Sequence, residues 1–280
     1  MRKITDLLKR KPWSHKYDYG HLLVIGGSKK YSGSPSFNAL AALRTGVDLV
    51  TIAAPERAAD IAATFSPDII AYPLKGDHLS KKHLPEIREI LNEKISSVVI
   101  GGGMERNRDS FDAVKKIHDL TAVPFVFDAD AIHAIKAKKI KPRKHDVITP
   151  HAREFRILSG REVPDDMKKR EKIVKDVAFF LGCNILLKGH IDIISDGKKV
   201  KTVKKGKNAV YLTKGGTGDT LSGICGSLLA QYYDSFDSAY YSAKINGVAG
   251  ELAARENLCG LLASDLLGKI PAALKGIFRS

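Results

Sequence analysis

Apolar residues along this 280-residue chain follow two alternating rhythms. Short unbroken runs, HLLVIGG (21–27), DLVTIAA (48–54), SVVIGGG (97–103), PFVFDAD (124–130), DVITP (146–150) and NILLKG (184–189), have the length and β-branched content of strands buried on both faces. Between them, residues 35–45, 79–94, 109–120, 152–158 and 166–181 repeat their apolar positions at helical spacing. The alternation predicts an α/β domain with a mainly parallel sheet covered by helices on both faces. After Gly189 the rhythm changes: Asp196–Gly197 stands between two β-type segments, a dipeptide that favours a hairpin. The sheet is therefore expected to gain antiparallel strands in the C-terminal third. Residues 220–233 and 235–256 read as two long helices, followed by a short pair around 264–274. No linker and no internal repeat interrupts the pattern, so residues 1–280 are expected to form a single domain.

Composition narrows the function classes. A hydrophobic share of 44% and a charged share of 28% suit a globular protein with a sizeable core. The net charge of +15 invites a nucleic-acid reading, but the basic residues are interleaved with acids on helical faces. The densest patch, residues 136–144, holds six Lys or Arg and no aromatic for base stacking. A small anionic substrate suits the same field, and nucleic acid is not expected as a ligand. Cys183, Cys225 and Cys259 are widely spaced and lie in apolar sequence, as packed, reduced thiols do. The N-terminus lacks a secretory apolar core, and no run reaches membrane-spanning length; a cytoplasmic protein without a membrane partner is expected.

Common fingerprints are missing: no G-x-x-x-x-G-K-S/T, no H-E-x-x-H, no G-x-S-x-G. One stretch remains, LTKGGTGDTLSG (212–223), where Gly216, Thr217, Gly218 and Asp219 open an apolar helix. Backbone N–H groups at such a terminus attract anions. A carboxylate in the same turn repels them, so Asp219 needs its own reason. It is either a helix N-cap or a general base that deprotonates a substrate hydroxyl while the helix end holds a phosphoryl group.

This stretch resembles the G-x-G-D anion hole of the ribokinase-like superfamily. Six further blocks (15–55, 98–104, 125–132, 148–155, 185–197 and 261–274) are similar, in order, to the ADP- or ATP-dependent NAD(P)H-hydrate dehydratases. The resemblance implies a ribokinase-like three-layer sandwich. It implies further that ADP or ATP phosphorylates the hydroxyl of (S)-NADHX or NADPHX and that phosphate then leaves, restoring NADH or NADPH and releasing AMP or ADP. Asp219 matches the catalytic base; Gly216, Thr217 and Gly218 match the anion hole. Lys188, Gly189, His190, Ile191 and Asp192 match the nucleotide-phosphate segment, with Gly218. Glu154 matches a Mg²⁺ organiser acting through water. His151, Gly33, Ser34 and Gly103, with Asp219, match the substrate side. Asp128 matches an acid of the metal network, whereas Asp130 reads as either a second such acid or a helix cap. Tyr17 and Asp18 depart from the family, many of whose members carry a glycine and a small polar residue there. The resemblance also implies a homo-oligomer, by analogy a tetramer, and the absence of the epimerase domain fused to some members. The alternative is a hydroxymethyl kinase of the thiazole kinase type on the same fold.

Overall fold

The structure, a computed structural model, describes residues 3–278. The chain runs β1 (His21–Ile25), α1 (Gly33–Thr45), β2 (Leu49–Pro55), α2 (Glu56–Phe65), β3 (Ile70–Leu74), α3 (Leu84–Leu91), β4 (Ser97–Ile100), α4 (Arg108–Leu120), β5 (Phe125–Phe127) and α5 (Asp130–Lys138). It continues through β6 (Val147–Ile148), α6 (Ala152–Ser159), α7 (Met167–Leu181), β7 (Asn184–Leu187), β8 (Ile191–Ser195), β9 (Val200–Lys204), α8 (Thr217–Ala230), α9 (Ser235–Asn257) and α10 (Ala263–Phe278).

The strands form one nine-stranded sheet in the order β3-β2-β1-β4-β5-β6-β7-β8-β9. It is parallel through β7, and β7–β8 and β8–β9 pair antiparallel, with Asp196–Gly197 in the β8–β9 turn. The reading of a parallel sheet that turns antiparallel late is borne out, as is the three-layer architecture. Side chains alternate between faces along each strand. Leu23, Ile25, Val98, Ile100, Phe125 and Phe127 pack against α3 to α7. Leu22, Val24, Val50, Val99 and Val126 face the opposite way, onto Ala39, Ala42, Ala58, Leu221, Cys225 and Ala239 of α1, α2, α8 and α9. Runs that are apolar at every position are therefore what burial on both faces requires.

Helix α8 is buried from Thr220 to Ala230 without a break. The sheet covers one side, and α9 and α10 cover another through Ile224, Leu228, Ile245 and Ile270. Gly223 packs against the backbone of Asn38 on α1, where any Cβ would sit 2.8 Å from Asn38 Cα. That contact draws the N-termini of α1 and α8 together.

Three elements went unread in the sequence: α2, α5 and the edge strand β3, whose IAYPL carries a proline and an exposed Ile70 and so lacks a buried-strand rhythm. The expected short helical pair near the C-terminus is one helix, α10, which continues through Pro271. The expectation of packed thiols holds for Cys183 and Cys225; Cys259 is exposed, in the turn that ends α9. Tyr17 adopts φ 81°, a conformation that glycine enters freely and a large side chain rarely does. No helix among the described residues is long and apolar enough to cross a membrane.

Candidate active site

The strand order reverses at β1, whose neighbours are β2 and β4, and in parallel sheets a crevice opens at the carboxyl ends beside such a switch point. The loop after β1 and the loop after β4 are tied there by Gly27 N–H donating to Gly102 O at 2.8 Å. A cavity of about 950 Å³ lies beyond them, lined by Gly33, Ser34, Gly103, Arg106, Gly216 and Asp219, among others. A second cavity, of about 800 Å³, lies beyond β7, lined by Lys188, Gly189, His190, Asp192, Thr217 and Gly218, among others. No described residue lines both. The first turn of α8 is the wall between them: Gly216 and Asp219 face one side, Thr217 and Gly218 the other.

Gly216 is the N-cap of α8, with φ 97°, and a Cβ on it would collide with Phe37 and Ala263. The capping reading of Asp219 is thereby overturned: Asp219 sits three residues past the cap, inside the first turn. Its carboxylate accepts a hydrogen bond from the Ser34 hydroxyl at the start of α1. Burial, reinforced by the nearby negative charge of Asp128, pushes its pKa up to about 6, against the pull of Ser34 and Lys188. A carboxylate so poised is a competent base near neutral pH. The Thr217 hydroxyl is committed to the carbonyls of Leu212 and Lys214, both at 3.0 Å, so what the turn offers the second cavity is backbone N–H.

Lys188 ends β7 and points between two acids. Its Nζ is 2.7 Å from Asp128 Oδ1 and 4.0 Å from Glu154 Oε2. Burial opposes its charge, but Asp128 and Glu154 outweigh burial and hold the ammonium above the ordinary lysine range. Asp128 is fixed in turn by Thr149 Oγ1 at 2.8 Å and Ser222 Oγ at 3.1 Å. Gly218 stands beside the same ammonium, where a Cβ would come within 3.4 Å of Nζ. One cation thus sits next to the helix end that faces the second cavity.

His151 and Glu154 form a reciprocal cap on α6: Glu154 N–H donates to His151 Nδ1 at 3.2 Å, and His151 N–H to Glu154 Oε2 at 2.9 Å. Burial raises the Glu154 pKa, with Lys188 acting against it. His151 lines the second cavity, beside Lys188 and Gly218. Asp192 is wholly buried, and its Oδ1 accepts from Gly189 N–H and Lys205 Nζ, each at 2.8 Å. It thus shapes the 188–192 turn, while Ile191 lies in β8 and lines neither cavity. Asp130 caps nothing, since the N-cap of α5 is Ala129; it pairs with Arg106 at 2.8 Å on the wall of the first cavity.

Two residues were not read from the sequence. Asn38 Nδ2 holds the Asp219 carbonyl at 2.7 Å and Ser222 Oγ at 3.0 Å. Asn246 on α9 accepts from Thr220 Oγ1 at 2.8 Å and lines the second cavity. Polar residues recurring on the buried faces of α1, α8 and α9 were the available signal.

The fit of a magnesium ion rests on the donor chemistry. Among the described residues no three His, Cys, Asp or Glu side chains lie close enough to hold a metal between them. Lys188 already fills the space between Asp128 and Glu154. What these residues fit is a hard cation carried mainly by phosphate oxygens and water, with Glu154 reaching it through a water.

The model of the NAD(P)H-hydrate dehydratase family matches residues 22–272. A bifunctional NAD(P)H-hydrate repair enzyme of Pyrobaculum aerophilum is 43% identical over 95% of this chain and 52% of its own length. This chain thus spans about half the length of that relative. An ADP-dependent (S)-NAD(P)H-hydrate dehydratase of Cenarchaeum symbiosum is 36% identical over 94% of this chain and 91% of its own. The crystal structure of the ADP/ATP-dependent NAD(P)H-hydrate dehydratase of Bacillus subtilis, co-crystallised with ATP and Mg²⁺, superposes with a TM-score of 0.82 at 26% identity, covering 96% of this chain and 93% of that one. With a family model spanning β1 to α10 and relatives aligned over nearly its whole length, this chain belongs to the NAD(P)H-hydrate dehydratase family.

Proposed function

We propose that this protein repairs hydrated nicotinamide cofactors, dehydrating (S)-NADHX or NADPHX to NADH or NADPH at the expense of a nucleoside phosphate. The observation that carries the reading is the wall of α8. A base, Asp219, faces the first cavity, while the N–H groups of the same helical turn and Lys188 face the second. Phosphoryl transfer needs a base hydrogen-bonded to the acceptor hydroxyl and a positive field on the phosphate, placed so that acceptor oxygen and phosphorus come into contact. The hydrated cofactor takes the first cavity, with Gly33, Ser34 and Gly103 against it. The donor takes the second, with its terminal phosphate at Gly218, Lys188 and the 188–192 turn.

Asp219 accepts the hydroxyl proton as the hydroxyl oxygen bonds to the terminal phosphorus of the donor and the bond to the departing nucleotide breaks. The C–O bond of the phosphate ester then breaks, inorganic phosphate leaves in place of the poorer leaving group hydroxide, and a proton lost from the adjacent ring carbon restores the ring double bond. Lys188 screens the charge on the transferred group, and Asp128 holds Lys188 in place. Mg²⁺, when bound with the nucleotide, supplies neutralisation of the phosphate oxygens, and Glu154 would orient one of its waters. ADP is the expected donor, as the name of the Cenarchaeum relative says of that protein; AMP is then the second product. A cytoplasmic homo-oligomer, a tetramer by family analogy, is part of the same reading.

Recovery of the near-ultraviolet absorbance of reduced nicotinamide from NADH-hydrate, with ADP and ATP in separate cuvettes, tests the activity and names the donor. A stable phosphate ester in place of restored NADH would move the assignment to the hydroxymethyl kinase alternative.

A further inference from the structure

At the end of the sheet opposite the candidate active site lies another cavity, of about 610 Å³. The residues that enter β4, β5 and β6 border it, together with the turn between α8 and α9. Its walls include Val123, Pro124 and Leu229, with the rings of Tyr17 and Tyr232, and Lys94 and His145 stand among them. Among the described residues no aspartate or glutamate lines it. The acid nearest in sequence to Tyr233, Asp234, is turned onto the backbone N–H groups of Phe236 and Asp237 at 3.0 and 3.2 Å.

The backbone supplies the second observation. Seven non-glycine residues among those described have positive φ. Glu105 and Ala129 line the first cavity of the candidate active site. Tyr17 (81°), Lys94 (58°) and Tyr232 (66°) all line this remote one. A left-handed conformation is costly for a large side chain; Tyr232 takes it where α8 closes, with Tyr232 N–H donating to Leu229 O and Tyr233 N–H to Leu228 O. Glycine would meet the backbone demand at all three positions without strain. Instead the chain presents two phenol rings and an ammonium at one opening, with Lys94 Nζ 5.2 Å from the Tyr17 ring centre.

We propose that this cavity is a second small-molecule site, whose ligand is a planar aromatic compound bearing one acidic group. The ring lies among Tyr17, Tyr232 and the apolar wall, and the acid pairs with Lys94. Aromatic walls, a cation at the rim and no opposing carboxylate select that class over neutral or cationic molecules.

Anilinonaphthalene sulfonate, an aromatic sulfonate whose fluorescence rises on binding, is the probe. It is titrated into the full chain saturated with ADP and NADH, so that the candidate active site is filled. One site per chain is expected. Tyr17→Gly and Lys94→Gly relieve the backbone while removing the ring or the charge. Each is expected to weaken the probe by about tenfold, the loss of one ring or cation contact, with the melting temperature unchanged or raised. Tyr17→Phe is expected to retain binding. Binding that is absent, indifferent to both glycine variants, or equalled by the uncharged N-phenyl-1-naphthylamine overturns the proposal.

Discussion

Lys188 Nζ and Asp128 Oδ1 lie 2.7 Å apart at the carboxyl ends of two strands, β7 and β5, that are not neighbours in the sheet. The pair is a buried bridge over β6, and Glu154 at 4.0 Å adds a second acid to it. Removing the lysine leaves two buried carboxylates facing each other. Lys188→Ala is therefore expected to cost about 3–5 kcal/mol in a denaturant melt, and to lower kcat by roughly 10²–10³ through the lost field on the phosphoryl group. Lys188→Arg, which keeps the charge, should restore most of the stability.

Asp219 gives a pH prediction of definite sign. As the base it must be ionised, so kcat/KM should rise with pH through a limb near 6 and fall about tenfold per unit below it. Ser34 donates to the ionised carboxylate and pulls the limb down. In Ser34→Ala the limb should shift to higher pH, as a pH–rate profile of the two proteins will tell; an unmoved limb would mean that Asp219 is not the titrating base.

Asp219→Asn separates chemistry from binding. Turnover should vanish while nucleotide affinity, measured by calorimetry, stays within a few-fold. Stability moves the other way. A carboxyl whose folded pKa is raised holds its proton in the native state, so the wild type is at its best below the unfolded pKa and loses stability as pH rises toward 6. At pH 8 the asparagine variant should be the more stable protein, by on the order of 1–3 kcal/mol; at pH 4 that advantage should be gone.

Gly223→Ala tests the link between packing and chemistry. Its methyl would meet the Asn38 backbone and push α1 away from α8. A loss of about 1–3 kcal/mol is expected. Because Ser34 begins one helix and Asp219 the other, kcat should fall as well, with nucleotide affinity retained.

Much of this was legible in the chain. Strands buried on both faces announce themselves by continuous apolar runs, and Asp196–Gly197 marks the hairpin turn between β8 and β9. The edge strand β3 had no such voice, because an edge needs neither two buried faces nor freedom from proline. Asp219 and Lys188 stood in short motifs of unusual composition. Asn38 and Asn246 did not: each is a polar residue inside a helix, and its meaning arises only where α1, α8 and α9 meet. The partner of Asp219 lies 185 residues away at Ser34, a distance that no local pattern spans. His151 stood in a short motif with Glu154, but the reciprocal cap that fixes its ring beside the second cavity arises only in the folded helix start.

The first turn of α8 divides the carboxyl end of the sheet into two rooms, each with its own opening to solvent. On the proposed function, reactants brought to either side meet at the edge of that turn, where acceptor oxygen and terminal phosphorus come into direct contact. If each reactant keeps to its own side, release of the nucleotide product need not precede release of the restored cofactor.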